Sequence, residues 1–364
     1  MLYKIAFSRV KGNNPQMAAK IIEMLGSEKE FFTLSEMTLA GKLGFRGRIL
    51  TDDYRHEVLR KAEAELPFIA DNGIRTLYYT DKDYPRRLLE CDDAPLMLFA
   101  LGNANLNATH VVSIVGTRNA TVYGVNFINR LVDDLSQKID DLLVVSGLAM
   151  GCDIAAHRKA LEMGIPTVGV VAHGLDTLYP SEHRNHAAAM VRQGGAIVTD
   201  YLHGTQPHRS NFLARNRIVA GMADAVVVAE SAAERGGALH TARLGMLYNR
   251  DVFALPGRTS DHFSRGCNKL IKTNVAHLAE SADDIIEILG WKPRPVEGSQ
   301  PKLFPELTDE QQSIIDFITR NGEARTNTLT AELGIPDGRL MAILVELEFQ
   351  GLLLSLPGAR YRLA

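Results

Sequence analysis

The stretch Val111-Val112-Ser113-Ile114-Val115-Gly116-Thr117-Arg118 decides the fold. Val111, Val112, Ile114 and Val115 are apolar and β-branched, and the run halts at a glycine followed by Thr117 and Arg118. A short continuous apolar run reads as a strand buried on both faces, the mark of a parallel sheet. The following residues, Ala120 to Leu135, carry Val122, Val125, Phe127, Ile128, Leu131, Val132 and Leu135 near helical spacing. Strand, glycine turn and helix open a βαβ unit. Its turn lies at the carboxyl end of a parallel strand, where open α/β sheets take their ligands.

Working outward, the same grammar repeats. Leu142–Val145 runs into Ser146-Gly147-Leu148-Ala149-Met150-Gly151-Cys152-Asp153 and a helix to Met163. Pro166–Val171 leads through Gly174-Leu175-Asp176 to Tyr179-Pro180 and a helix from Ser181 to Gln193. Ala196–Thr199 precedes a polar loop that ends Arg209-Ser210-Asn211-Phe212-Leu213-Ala214-Arg215-Asn216-Arg217. Ala225–Ala229 leads through Glu234-Arg235-Gly236-Gly237 to a helix ending near Tyr248, and Asp251–Leu255 follows. Short strands alternating with longer helices predict a doubly wound parallel sheet over residues 74–290. Two further strands, Ile74–Tyr79 and Leu96–Leu101, read as an extension of it.

Residues 1–73 read as a separate helical domain. The turn Lys11-Gly12-Asn13-Asn14-Pro15 resembles that of helix-hairpin-helix or SAM-like modules, and serves either phosphate contact or packing. The proline-rich stretch 291–305 reads as a linker. Residues 306–364 give three helices (Glu310–Thr319, Thr326–Leu333, Gly338–Phe349) and a hairpin around Pro357-Gly358-Ala359, the pattern of a winged helix. Its third helix holds Arg339 but also Glu346 and Glu348, which disfavours a DNA groove. A protein-contact or weak accessory module is the expectation.

The totals set the class. A chain of 364 residues with 46% hydrophobic and 23% charged residues has ample core for two or three domains. A net charge of −3 argues against coating nucleic acid by bulk charge, but not against a local basic groove. Cys91, Cys152 and Cys267 are widely spaced and read as reduced thiols. The first residues lack the apolar core of a signal peptide, and no apolar run reaches the ~18 residues of a membrane span, so the expectation is cytoplasmic.

The turns supply phosphate chemistry without cofactor grammar. Neither G-x-G-x-x-G nor G-x-x-x-x-G-K-[ST] occurs, and no cofactor is expected. Gly116, Gly147, Gly151, Gly174, Gly236 and Gly237 sit at strand-to-helix turns, where backbone amides can approach an anion. Arg118, Arg209, Arg215 and Arg217 can converge on that edge, and arginine suits bidentate phosphate contact. Phe212 is either a stacking platform for an unpaired base or ordinary packing. Arg215 and Arg217 serve either phosphate or ion pairs within the domain. Asp153, Asp176, Asp200 and Glu230 near strand ends could hold Mg²⁺, although Asp153 is also a good N-cap. His183 and His186 read as solvent-exposed, and no histidine pair has metal-ligand spacing. No metal and no catalytic residue is expected.

In one order stand Ile114-Val115-Gly116-Thr117-Arg118, the Ser146-Gly147 to Ala156-His157 stretch, Gly174-Leu175-Asp176 with Tyr179-Pro180, Asn211-Phe212 with Arg215-Asn216-Arg217 through Gly221, and Gly236 with Thr241-Ala242. Together they resemble DNA-processing protein A (DprA, also called Smf) over roughly residues 75–275. The resemblance implies an extended Rossmann-like fold that binds and protects single-stranded DNA, usually as a homodimer. It also implies loading of the RecA recombinase in natural transformation or recombination, with displacement of single-strand-binding protein. No nuclease or nucleotide-hydrolysing activity is implied. The roles it carries over fall on Arg118, Arg209, Phe212, Arg215 and Arg217; with the turn residues and their neighbours, the expected DNA-binding set is Gly116, Thr117, Arg118, Ser146, Gly147, Gly151, Gly174, Arg209, Asn211, Phe212, Arg215, Asn216, Arg217, Gly236, Gly237 and Lys269. Within it the phenylalanine stacks on a base and the arginines line the groove. Leu213 stands where the family commonly has proline, and Arg209 where some members have lysine.

Two other readings remain. Glu234-Arg235-Gly236-Gly237 distantly resembles the P-G-G-x-G-T-x-x-E signature of lysine-decarboxylase-like phosphoribohydrolases acting on nucleotides. The proline and the downstream glutamate are missing, since Ala242-Arg243-Leu244 follow Thr241. A scaffold held by the winged helix is the third reading.

Overall fold

The structure is a computed structural model that describes residues 1–233, 236–294, 307–349, 352–356 and 358–363. They fall into two compact units, one ending at Arg294 and one beyond it.

The first unit opens with helices α1 (Leu2–Ser8), α2 (Pro15–Leu25), α3 (Glu28–Thr33), α4 (Glu36–Leu43) and α5 (Asp52–Asp71). Then follow β1 (Arg75–Tyr78), α6 (Arg86–Leu89), β2 (Met97–Gly102), β3 (His110–Val115), α7 (Val122–Lys138), β4 (Leu142–Ser146) and α8 (Cys152–Glu162). The chain continues through β5 (Thr167–Val170), α9 (Arg184–Arg192), β6 (Ala196–Thr199), α10 (Arg209–Gly221), β7 (Ala225–Val228) and α11 (Gly237–Leu247). It closes with β8 (Asp251–Ala254), α12 (Arg265–Lys272), β9 (His277–Leu278) and α13 (Ala282–Leu289).

The sheet runs β1-β2-β6-β5-β4-β3-β7-β8-β9. From β6 to β9 every pairing is parallel, while β1 and β2 are antiparallel additions at one edge. The opening stretch is its centre. Val112 and Ile114 pack with Phe127, Ile128 and Leu131 of α7 on one face. Val111 and Val115 pack with Ile218 and Val219 of α10 on the other. Both faces are covered, so the strand needs no polar side. After β3 the chain winds outward through β4, β5 and β6, then returns to lay β7 on the other flank of β3. That reversal opens a crevice beyond the carboxyl ends of β3 and β7.

Two expectations change. The helical segment 1–73 is not separate: Ile5, Phe7, Phe31 and Leu39 share one core with Tyr78, Met97 and Phe99 of β1 and β2. Charges fasten it too, with Arg9 Nη1 donating to the Asp200 carbonyl at 2.5 Å and buried Glu65 accepting from the His203 amide at 3.0 Å. Its Lys11–Asn14 turn is engaged inward, as the Lys11 amide meets the Tyr54 hydroxyl and Asn14 caps α2 while contacting the Asp92 carbonyl. The second change is at residues 209–217, which form the first half of α10 and not a loop. Their polarity disguised the helix because only the second half, Ile218 to Gly221, is buried throughout.

Trp291 still packs on the first unit, against His110, and Arg294 bonds to the Lys138 and Ile139 carbonyls. The predicted linker therefore begins later than 291, and its remainder lies outside the described residues. The second unit holds α14 (Asp309–Asn321), β10 (Glu323–Arg325), α15 (Thr326–Leu333), α16 (Asp337–Phe349), β11 (Leu353–Leu356) and β12 (Arg360–Leu363). Its sheet order is β10-β12-β11, over a core of Ile314, Ile318, Leu340, Leu344 and Leu347.

Candidate nucleic-acid interface

A cleft of about 910 Å³ lies over the carboxyl ends of the central strands. The turn after β3 forms one wall. The Thr117 amide donates to the Glu230 carbonyl at 2.8 Å, and the Glu230 carboxylate accepts from the Thr121 amide at 2.8 Å and its hydroxyl at 2.5 Å. Glu230 is thus a clamp for the turn. Gly116 and Gly124 are required by crowding: a Cβ on Gly116 would lie 2.3 Å from Cys152 Sγ, and one on Gly124 2.5 Å from the Glu230 carboxylate. From this fixed turn Arg118 projects into the cleft, exposed, with its Cζ 5.4 Å from the centre of the Phe212 ring.

The floor is a buried pair. Arg215 is 4% exposed and Asp153 8%. Gly147 leaves room for both, since a Cβ there would stand 2.2 Å from Arg215 Nη1 and 2.6 Å from Asp153 Oδ2. Burial pushes the Asp153 carboxyl above its usual pKa despite Arg215, and burial lowers Arg215 despite Asp153. Arg215 also donates to the Val170 carbonyl, and its Nε has no partner among the described residues. Asp153 is not the N-cap of α8. Gly151 holds that position with φ +77°, and Asp153 reaches back to the Ala149 amide at 3.3 Å.

The far wall is α10. Phe212, Arg215, Asn216 and Val219 share one helix face, spaced by three or four residues, and all line the cleft. Arg209 starts the helix at the rim. Arg217 cannot join them: two residues beyond Arg215 it is carried to the opposite side, where it pairs with Asp200 at 2.6 Å and meets the Asp93 carbonyl. It fastens the fold, and so falls outside the groove set. The N-termini of α10 and α11, the latter beginning at Gly236 and Gly237, both border the cleft and favour an anion.

Other expected residues sit elsewhere. Ser146 is buried with its hydroxyl on the Ile114 carbonyl at 2.6 Å, stitching β4 to β3. Gly174 permits a tight approach to the Leu202 carbonyl, 2.6 Å from where a Cβ would be. Gly151 packs under the turn, 2.3 Å from the Thr117 carbonyl by the same measure. Asn211 turns to the Gln206 carbonyl, and Lys269 is exposed on α12 outside the cleft lining. Asp176 accepts from the Gly204 amide at 2.8 Å. His183 is buried, not exposed, with Nδ1 2.9 Å from the Leu148 carbonyl. Glu234 and Arg235 lie outside the described residues. The three cysteines are free and buried.

The cleft also contains residues that the pattern reading missed as site groups. Tyr179 is 48% exposed with its ring 5.6 Å from that of Phe212, and its amide is held by Nε2 of buried His173 at 3.2 Å. His208, His262, Phe263 and Thr241 also line it. The signal for Tyr179 was present in the Tyr179-Pro180 motif. That for His262-Phe263 was weaker, an aromatic pair in an otherwise polar post-strand loop.

These features define an extended α/β protein with an arginine-rimmed, aromatic-lined anion cleft at the switch point of its sheet. The chain belongs to the DNA-processing protein A family: the DNA recombination-mediator protein A model matches residues 75–290, and the DprA winged helix model residues 299–359. It is 34% identical over 314 residues to a putative DNA processing protein DprA of Mycobacterium tuberculosis, covering 82% of this chain and 79% of that one. The DprA structure from Streptococcus pneumoniae superposes with TM-score 0.64 at 31% identity, over 79% of this chain and 97% of that one. A Helicobacter pylori DprA structure, described for its single-stranded DNA binding mode, gives TM-score 0.52 at 28% identity, over 59% and 95%.

Proposed function

We propose that this protein binds single-stranded DNA in the cleft, without sequence preference, and transfers it to the RecA recombinase during transformation or recombination. The observation that carries the reading is Arg118 poised over the half-buried ring of Phe212, at the mouth of an anion-favouring crevice. Guanidinium groups and helix N-termini take the sugar-phosphate chain, while aromatic faces take bases that a duplex would hide. Family membership and the single-stranded DNA named for the Helicobacter relative support it.

The reading is of a carrier and not an enzyme. The acid in the cleft floor accepts from the Ala149 amide under the charge of Arg215, and Glu230 accepts from Thr121. Homodimerisation fits the open edge at β9, where Leu278 is 45% exposed and Ile288 of the next helix 43%. The winged helix is a protein-contact module: Arg339 is tied to Glu310 at 2.9 Å, while Met341, Val345 and Phe349 stand exposed beside Glu346 and Glu348. No helix among the described residues is long and apolar enough to cross a membrane, and a cytoplasmic location is part of the proposal.

The test is RecA filament assembly on a strand pre-coated with single-strand-binding protein. Assembly accelerated by the wild-type chain and not by Arg118→Ala is expected. No acceleration by either refutes the transfer step, and release of free base from nucleoside monophosphates would favour phosphoribohydrolase chemistry instead.

A further inference from the structure

Aromatic side chains line the cleft at two places along the chain. Tyr179 and Phe212 form one. His262 and Phe263, on the loop between β8 and α12, form the other, with ring centres 5.0 Å apart and planes at 73°. Packing accounts poorly for His262, which is exposed and has no hydrogen-bond or ion-pair partner among the described residues. Yet the loop that carries it is firmly built. Asn268 bonds to both the amide and the carbonyl of Gly257, at 3.1 and 2.8 Å, and Tyr123 donates to the Pro256 carbonyl at 2.7 Å. The Ser231 amide donates to the Phe263 carbonyl at 2.7 Å, tying the pair to the turn after β7. A braced loop that presents an exposed ring without a hydrogen-bond partner to a cleft has the form of a binding element.

Cations follow at once. Arg265, Lys269 and Lys272 are exposed on α12 at i, i+4 and i+7, a ridge of about 10 Å by helix rise. None of them has an ion-pair partner among the described residues, and Asp261 is the single acid from Pro256 to Lys272. All three lie outside the cleft lining, on the helix that follows Phe263 in the chain.

We propose that His262 and Phe263 form a second nucleobase site, stacking another base of the strand gripped at Arg118 and Phe212, and that the backbone then passes over Arg265, Lys269 and Lys272. This rests on the single-stranded DNA reading and extends it from one gripped nucleotide to a directed track. Stacking tolerates every base, so two stations add affinity and fix the path without adding sequence preference.

The test places a reporter at the site, which removes any dependence on binding register. In the full-length chain, His262→Trp is titrated with oligo(dT) while anisotropy of a labelled strand follows binding. Phe212→Trp serves as the positive control and exposed Leu247→Trp, outside the cleft, as the negative one. Signal from Trp291, the one native tryptophan, is subtracted using the parent chain. The expected result is quenching for His262→Trp and Phe212→Trp but not for Leu247→Trp, with His262→Ala binding about five- to tenfold more weakly. Since Phe263 is half-buried, the exposed His262 carries the test without threatening the fold. Binding with unchanged His262→Trp emission and full affinity of His262→Ala overturns the second site and leaves the first reading standing. No binding by the parent chain overturns both.

Discussion

Replacing Arg118 by alanine separates a local groove from bulk charge. The guanidinium is exposed, its turn is fixed through Thr117 and Thr121, and it faces Phe212 at 5.4 Å. Removing it deletes one phosphate contact and the cation over the ring. A charge-assisted hydrogen bond contributes about 1.5–3 kcal/mol where water is excluded, and solvent exposure brings that to the low end, so affinity for oligo(dT) should fall about tenfold. The slope of log K against log salt should shrink by about 0.7, the single-strand share of one neutralised phosphate. Arg217→Ala is the matched control, since that cation lies on the helix that carries Phe212 but is turned onto Asp200. It should leave affinity unchanged below its melting temperature while costing about 3 kcal/mol of stability, because Asp200 is left buried without its partner. Anisotropy titrations over a several-fold range of salt, with denaturant melts alongside, give all these values. Equal losses of affinity in the two variants, or none in Arg118→Ala, would refute the placement of the site.

Gly147→Ala should reduce both stability, by about 1–3 kcal/mol, and single-strand affinity, because its Cβ would intrude on Arg215 and Asp153 in the cleft floor; a neutral outcome in melts and titrations would show that the floor yields easily. Lowering the pH should destabilise the fold through His157, which is fully buried and held down to a pKa of about 3 by burial. The folded state keeps it neutral while the unfolded chain protonates near pH 6.5, so its contribution is complete above that value and declines towards pH 3. Between pH 7 and 5 the loss is about 2 kcal/mol, and His157→Gln should flatten that part of the denaturation profile, whereas parallel profiles would contradict the assignment. Deleting residues 306–364 should leave oligo(dT) affinity within about threefold, and its abolition would favour the scaffold reading.

The strands were legible because they are buried on both faces: β3, β7 and β8 announce themselves as runs of Val, Ile and Phe ended by turns. The order of the sheet needed the structure, since β2 and β6 pair antiparallel across a long separation in the chain that no local pattern records. The site was half legible, and α10 shows why. A helix whose first half faces a cleft carries polar residues where a core-facing helix would carry apolar ones, so residues 209–217 resemble a loop. Reading them as a loop allowed Arg215 and Arg217 to point the same way, which helical geometry forbids. The glycines illustrate the other limit. Gly116 and Gly147 stand beside the ligand crevice, as their turn positions suggested, but Gly174 serves an approach of backbone to backbone, and sequence alone does not separate the two uses. Tyr179 went unassigned because its position depends on buried His173, six residues earlier, holding its amide.

The central claim is that one unpaired strand lies in this cleft with a base against the Tyr179–Phe212 pair. Photocrosslinking of a 5-iodouracil-substituted oligonucleotide to the full-length chain, followed by peptide mapping, tests it most directly. Crosslinks at Phe212 or Tyr179, lost in competition with unlabelled single strand but not with duplex of equal length, are the predicted result. Crosslinks confined to α16 of the winged helix or to the α1–α5 segment would contradict it.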